Sequence, residues 1–292
     1  MEFWQFLAFT EVEQLTEIAR IAEDVGFTGV LLGDHILVPE KIDSPYPYTP
    51  DGKPGFESAD VWPDPWVSIS AMAAVTSKLR FGTSVYILPL RSPFQAAKSI
   101  GTAAVISRNR VALGAGAGWM REEYAHMNMP FKDRGKRYDE MIEVLRLLWR
   151  GGMTEYHGQH FDFDRLEISP APTENIPIWI GGHSNAALRR AARLGDGWIG
   201  TGCAPEEIPE ILGSLRELRS NSGREDMHFE TRVSLTAMPD RDLYRRVEDQ
   251  GLTGIVHWPF KYLLGPSSSI EQKRTAMESY AEDIIVPLAR GH

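Results

Sequence analysis

Val30-Leu31-Leu32-Gly33-Asp34-His35, entered from Leu15, Ile18, Ala19, Ala22 and Val25 through Gly26 and Gly29, is the stretch that decides the fold. The five apolar residues share one helical face, the glycines stop that helix, and the apolar run that follows has strand length. The same order recurs where Ala187, Leu188, Ala191 and Ala192 lead through Gly195 and Gly197 to Trp198-Ile199, and again where Gly251 and Gly254 precede Ile255-Val256. These runs are apolar without alternation, as parallel strands covered on both faces should be. Arg80 to Val85, Arg110 to Gly114, Pro177 to Ile180, Glu2 to Phe6 and Thr231 to Leu235 complete about eight strand-then-helix units, the number that closes a (β/α)8 TIM barrel. An open doubly wound sheet uses the same units, and periodicity alone leaves it in play.

With 292 residues, 42% of them hydrophobic and 24% charged, the chain is an ordinary globular protein, expected here as a single barrel domain over 1–292. Lysine and arginine number 31 against 40 acidic residues, a net charge of −9 that repels nucleic acid and anionic membrane. Cys203 is the single cysteine, and Met1-Glu2-Phe3-Trp4-Gln5 lacks a signal-peptide pattern, so a reducing cytoplasm is the expected location. No run approaches the roughly 20 apolar residues that span a bilayer.

Two connections are longer than usual and are candidate lids or binding loops, with plain surface hairpins as the alternative. One, about 36–65, is rich in proline and carries Tyr46, Tyr48, Phe56 and Trp62; the other, about 151–176, contains Tyr156-His157-Gly158-Gln159-His160-Phe161. His157 and His160 have helical metal-ligand spacing, but Gly158 indicates a turn and no metal is expected.

Barrel chemistry sits at the C-terminal strand ends. There, Asp34-His35 pairs a carboxylate with a side chain able to exchange protons near neutrality, so His35 is a candidate acid or base and Asp34 a candidate orienting or ligand-binding group. Gly181-Gly182-His183-Ser184 joins a strand to a helix and suits an anion, although Ser184 as a plain N-cap explains the same residues. Gly114-Ala115-Gly116-Ala117-Gly118-Trp119 permits close approach of a flat ligand but is not a dinucleotide fingerprint. Arg189, Arg190 and Arg193 read as the solvated side of an apolar helix.

The chain resembles the luciferase-like flavin and deazaflavin oxidoreductases, and within them the branch dependent on coenzyme F420. The resemblance rests on Ala19 to Phe27, Gly33-Asp34-His35, Asp64-Pro65-Trp66, Ala71 to Thr76, Leu79 to Val85, Gly114 to Trp119, Glu122-Glu123-Tyr124 and Arg134 to Glu140. Its most specific block is Ile178 to Ser184 followed by Gly195-Asp196-Gly197-Trp198. It implies a dimeric (β/α)8 barrel with the cofactor ring at the C-terminal mouth. Asp34, Ser84, Val85, Gly116, Gly118, Trp119, Gly181, Gly182, His183, Ser184 and Thr201 are the implied cofactor contacts, with a non-prolyl cis peptide at Ser84-Val85. Trp62, Trp119 and Glu122 are the implied substrate contacts, and His35 with Asp34 the catalytic pair. Sugar-phosphate dehydrogenases of this branch carry an acid near the position of Gly118-Trp119, which this chain lacks; Glu122 or Glu123 is a substitute acid or a first-turn helix residue. The implied reaction is hydride transfer between F420 and a small organic substrate. A monooxygenase using reduced FMN, or a barrel that binds without turnover, are the alternatives.

Overall fold

The computed structural model describes residues 1–289. In chain order its elements are β1 (Glu2–Phe6), α1 (Leu15–Val25), β2 (Gly29–Leu32), α2 (Pro65–Ala73), β3 (Arg80–Thr83), β4 (Tyr86–Ile87), α3 (Pro93–Ser107) and β5 (Val111–Gly116). Next come α4 (Arg121–His126), α5 (Arg134–Trp149), a hairpin of β6 (Thr154–His157) and β7 (Asp162–Leu166), β8 (Ile178–Gly181) and α6 (Asn185–Leu194). The chain continues with β9 (Gly197–Cys203), α7 (Ile208–Ser220), β10 (Glu230–Leu235), α8 (Arg241–Asp249), β11 (Gly254–His257), α9 (Phe260–Leu264) and α10 (Ile270–Tyr280).

The parallel strands run β3, β2, β1, β11, β10, β9, β8, β5, and the pairing of Phe81 with Val111 and Gly82 with Ala112 joins the two ends. The sheet is therefore a closed eight-stranded barrel, and the open alternative falls away. Each helix turns its apolar face inward: α1 buries Leu15, Ile18, Ala19, Ile21 and Ala22 and ends at Gly26 with φ +96°. The third strand is interrupted. It stops at Thr83, the Ser84-Val85 peptide is cis as the resemblance implied, and β4 resumes beside β5. Thr201 falls within β9, which runs two residues beyond it.

Inside the barrel, Trp4, Leu31, Ala112, Trp179, Ile199 and Val256 pack together, with Trp4 and Trp179 edge to face at 5.3 Å. Gly29 makes room for this: a Cβ there would lie 2.3 Å from the Trp4 ring. Toward the N-terminal end the fully buried Arg232 lies 3.8 Å from the centre of the Trp179 ring and pairs with Glu2 and with Glu230, the latter at 3.0 Å. A cation held between two indoles and two carboxylates closes that end.

The two insertions differ. The 36–65 segment forms no helix or strand before α2 and crosses the C-terminal mouth. The 151–176 segment, also a candidate lid, is instead a hairpin fastened outside the barrel. Phe163 packs on Phe94 of α3 at 5.1 Å, and Glu140 of α5 accepts from the backbone N–H of His160 and Phe161. None of its residues lines the central cavity. Its aromatics are satisfied by the outer helices, so they do not reach for a ligand.

Candidate active site

The C-terminal ends of the strands and the 36–65 segment enclose a cavity of about 1120 Å³. His35 enters it directly after β2. Its Nδ1 lies 3.0 Å from Glu123 Oε2, and Glu123 Oε1 accepts from the Ile36 N–H at 2.7 Å. Glu123 is 1% exposed. A carboxylate only accepts, so Nδ1 carries the proton and Nε2, with no hydrogen bond among the described residues, is the nitrogen left to a ligand. Trp62 and Phe56 flank the ring at 4.8 and 5.1 Å, and Trp119 stands at 6.3 Å.

Asp34 lines the cavity but does not orient His35, as its place in the sequence had suggested. Its two oxygens take a fork from Arg91 at 2.6 and 2.7 Å, and one also accepts from the Ile87 N–H at 2.8 Å. Burial, the largest influence, leaves the Asp34 carboxyl above its ordinary value although Arg91 and the Ile87 N–H pull it down. For Arg91 burial acts to lower and the neighbouring carboxylate to raise, with a net rise. A bidentate fork plus an amide donor is the setting of an ionised pair, which ties β2 to β4.

Ser84 and Val85 lie on the cavity wall. A Cβ at Gly116 or Gly181 would come within 2.5 or 2.6 Å of a Val85 methyl. The space these glycines create is taken by Val85 rather than directly by a ligand. Gly118, at φ +72°, turns the chain toward Trp119, whose ring meets Tyr46 at 5.1 Å. Glu122 was expected in the substrate pocket, yet it is not on the wall. Its Oε1 accepts from the Asp43 and Ser44 N–H groups at 2.9 and 3.0 Å, anchoring the segment over the mouth. One residue along α4, Glu123 is the acid that reaches inward.

Gly181, Gly182, His183 and Ser184 line the opposite wall at the start of α6. Ser184 is the N-cap, its Oγ accepting from Ala187 N–H at 3.2 Å. First-turn amides of a helix have no intrahelical acceptor, so the wall still presents donors. His183 Nε2 accepts from the Thr201 N–H at 3.1 Å, and burial lowers its pKa, which keeps the ring neutral. Thr201 shares a hydroxyl hydrogen bond with Ser234 at 3.2 Å.

Three arginines that the sequence reading had not assigned to the site border the same region. Arg190 is not on a solvated stripe: it lines the cavity, donates to Gly135 O at 3.2 Å and pairs with Asp139. Arg121 and Arg134 lie over the Phe131 ring at 4.7 and 3.7 Å, and Arg134 Nε donates to Gly118 O. Neither has a carboxylate partner among the described residues. No cluster of three metal-ligating side chains occurs among those residues, and none of their helices is long and apolar enough to cross a membrane.

A closed eight-stranded barrel whose C-terminal mouth brings together a helix N-terminus, two arginines without carboxylate partners among the described residues and a carboxylate-held histidine defines a (β/α)8 protein with a polar and aromatic cavity at its strand ends. The profile of luciferase-like monooxygenases matches residues 4–276, and the chain belongs to that family of oxidoreductases. An uncharacterized protein of Mycobacterium tuberculosis is 38% identical over 287 residues, 98% of this chain and 99% of its own. The F420-dependent glucose-6-phosphate dehydrogenase of Nakamurella multipartita is 28% identical over 270 residues, 91% of this chain and 75% of that one. Among solved structures, monooxygenase RslO1 from Streptomyces bottropensis superposes with a TM-score of 0.79 over 98% of this chain and 99% of its own, at 16% identity, a likeness of fold.

Proposed function

We propose that the protein is an F420-dependent oxidoreductase that moves a hydride between the deazaflavin C5 and a small organic substrate. The observation that carries this reading is the pairing, in one cavity, of a polyanion-binding wall with a histidine whose outer nitrogen is free. The side chain of F420 bears a phosphodiester and several carboxylates, whereas FMN bears one phosphate. Two arginines without carboxylate partners, together with the α6 N-terminus, suit the more highly charged cofactor.

When bound, the deazaflavin supplies or accepts the hydride; the protein supplies position and proton. Gly182 and Ser184 would hold phosphate, Arg121 and Arg134 the carboxylates, and Ser84, Val85 and Gly118 would lie against the ring, with Gly116 and Gly181 behind the Val85 methyls. Glu123 fixes the His35 tautomer, Nε2 gives or takes the substrate proton, and Trp62 with Trp119 keeps water away. Trp119 and Trp62 also report binding. Titration with F420 and with FMN, followed by tryptophan fluorescence, is expected to give the tighter complex with F420. Preference for FMN would favour the reduced-FMN monooxygenase reading instead, and oxygen dependence of turnover would establish it.

A further inference from the structure

The cavity has two chemically different ends. Arg121, Arg134, Arg190 and the start of α6 form one. The other, around His35, is walled by rings in successive contact: Phe9 with Trp62 at 5.0 Å, Trp62 with Phe56 at 5.2 Å, and Phe9 with Tyr262 at 5.9 Å. Charges bordering this end are already paired. Arg91 holds Asp34, Asp60 holds Lys261 at 2.6 Å, and Glu123 is shared by His35 and Ile36. Burial raises the pKa of Tyr46 and Tyr262, so both phenols stay neutral. At about 1120 Å³, the cavity exceeds the roughly 300–1,000 Å³ typical of a single-ligand site and has room for a second molecule.

Building on the hydride-transfer reading, we infer that the substrate is an uncharged, flat conjugated carbonyl compound held between these rings beside His35. An anionic substrate would lose its hydration here and find no unpaired cation to replace it, whereas the unpartnered Trp62 indole N–H can serve a neutral carbonyl. A flat π system matches faces and edges of the indole and phenyl walls. In the reducing direction, the carbon–carbon double bond conjugated to the carbonyl is reduced. With reduced deazaflavin bound, a hydride would form the C–H bond at the β-carbon, and His35, doubly protonated against the Glu123 carboxylate, would give its Nε2 proton to the α-carbon. The two electrons come from the deazaflavin, which is oxidised, and His35 regains its proton from solvent.

The test compares 4-phenylbut-3-en-2-one with its para-carboxylate, which have the same reactive group and differ in charge. Without cofactor, and with excess inorganic phosphate to occupy the arginine end, tryptophan quenching should show the neutral enone binding about tenfold tighter or more. Equal affinity, or preference for the carboxylate, overturns the proposal. With reduced F420 the neutral enone should be reduced in step with recovery of oxidised F420, while glucose 6-phosphate should leave oxidised F420 unreduced. Binding of F420 without enone reduction, or brisk oxidation of glucose 6-phosphate, also overturns it. Failure to bind F420 alongside retained preference for the neutral enone defeats the cofactor assignment and leaves the substrate class supported. Phe56→Arg should bring the two affinities together, placing the enone at this end; an unchanged ratio in the folded variant would overturn that placement.

Discussion

His35 holds one proton-bearing nitrogen against Glu123 and leaves the other to the cavity, so its chemistry depends on an acid it does not adjoin in sequence. Replacing His35 with Asn should lower kcat by about 10²-fold or more, the usual worth of a positioned acid–base group, while F420 affinity stays within about twofold. A parallel loss of binding would point to a structural role. Glu123→Gln keeps the shape and removes the charge, and should lower kcat about tenfold with cofactor binding retained. His35 was legible because it follows a strand end. Glu123 was not, since Glu122 and Glu123 are adjacent and only the rotational phase of a six-residue helix decides which points inward. Arg190 was missed for a similar reason: its helix is amphipathic, but a residue at the edge of the apolar stripe can lean over a cavity the sequence does not display.

Among the elements, the 36–65 segment is secured at separated points. Glu122 of α4 binds the Asp43 and Ser44 amides, while Lys261 and Tyr262 of α9 bind Asp60 and Gly55. Glu122→Ala should accelerate hydrogen exchange at Asp43 and Ser44 and raise KM several-fold, with little change in Tm; unchanged exchange would show that the anchor is redundant. At β11, burial lowers the pKa of His257, stacked 4.0 Å from Tyr280, to about 4. The unfolded chain, with an ordinary histidine near 6.5, binds the proton more tightly. Stability is therefore full above about pH 6.5 and falls as pH drops toward 4, by on the order of 2 kcal/mol at pH 5. His257→Gln should flatten this slope in denaturation series at pH 7 and pH 5. Strand order was readable from helix, glycine and apolar run. The destination of an insertion was not, because aromatic residues cover a ligand cavity and an outer helix equally well.

For the whole molecule, the interior beneath the site is filled by Trp4, Trp179 and Arg232, and the cation is enclosed by Glu2 and Glu230. Arg232→Met removes the buried cation and leaves Glu2 and Glu230 to the more exposed Arg80, which pairs with them at 2.6 and 3.5 Å. It should destabilise the fold by about 3–5 kcal/mol, seen as a Tm lower by roughly 5–10 °C. A variant that melts like the parent would show that the plug is held by packing alone. The sequence marked Glu2 to Phe6 and Thr231 to Leu235 as strands, but not the meeting of Glu2, Glu230 and Arg232, because their contact crosses the barrel. Among the described residues that stopper shuts the N-terminal end, so the chamber is entered from the C-terminal mouth. Two ligands sharing that doorway must queue: the molecule seated deeper enters first and departs last, so initial-rate and product-inhibition patterns should follow a compulsory order rather than a random one.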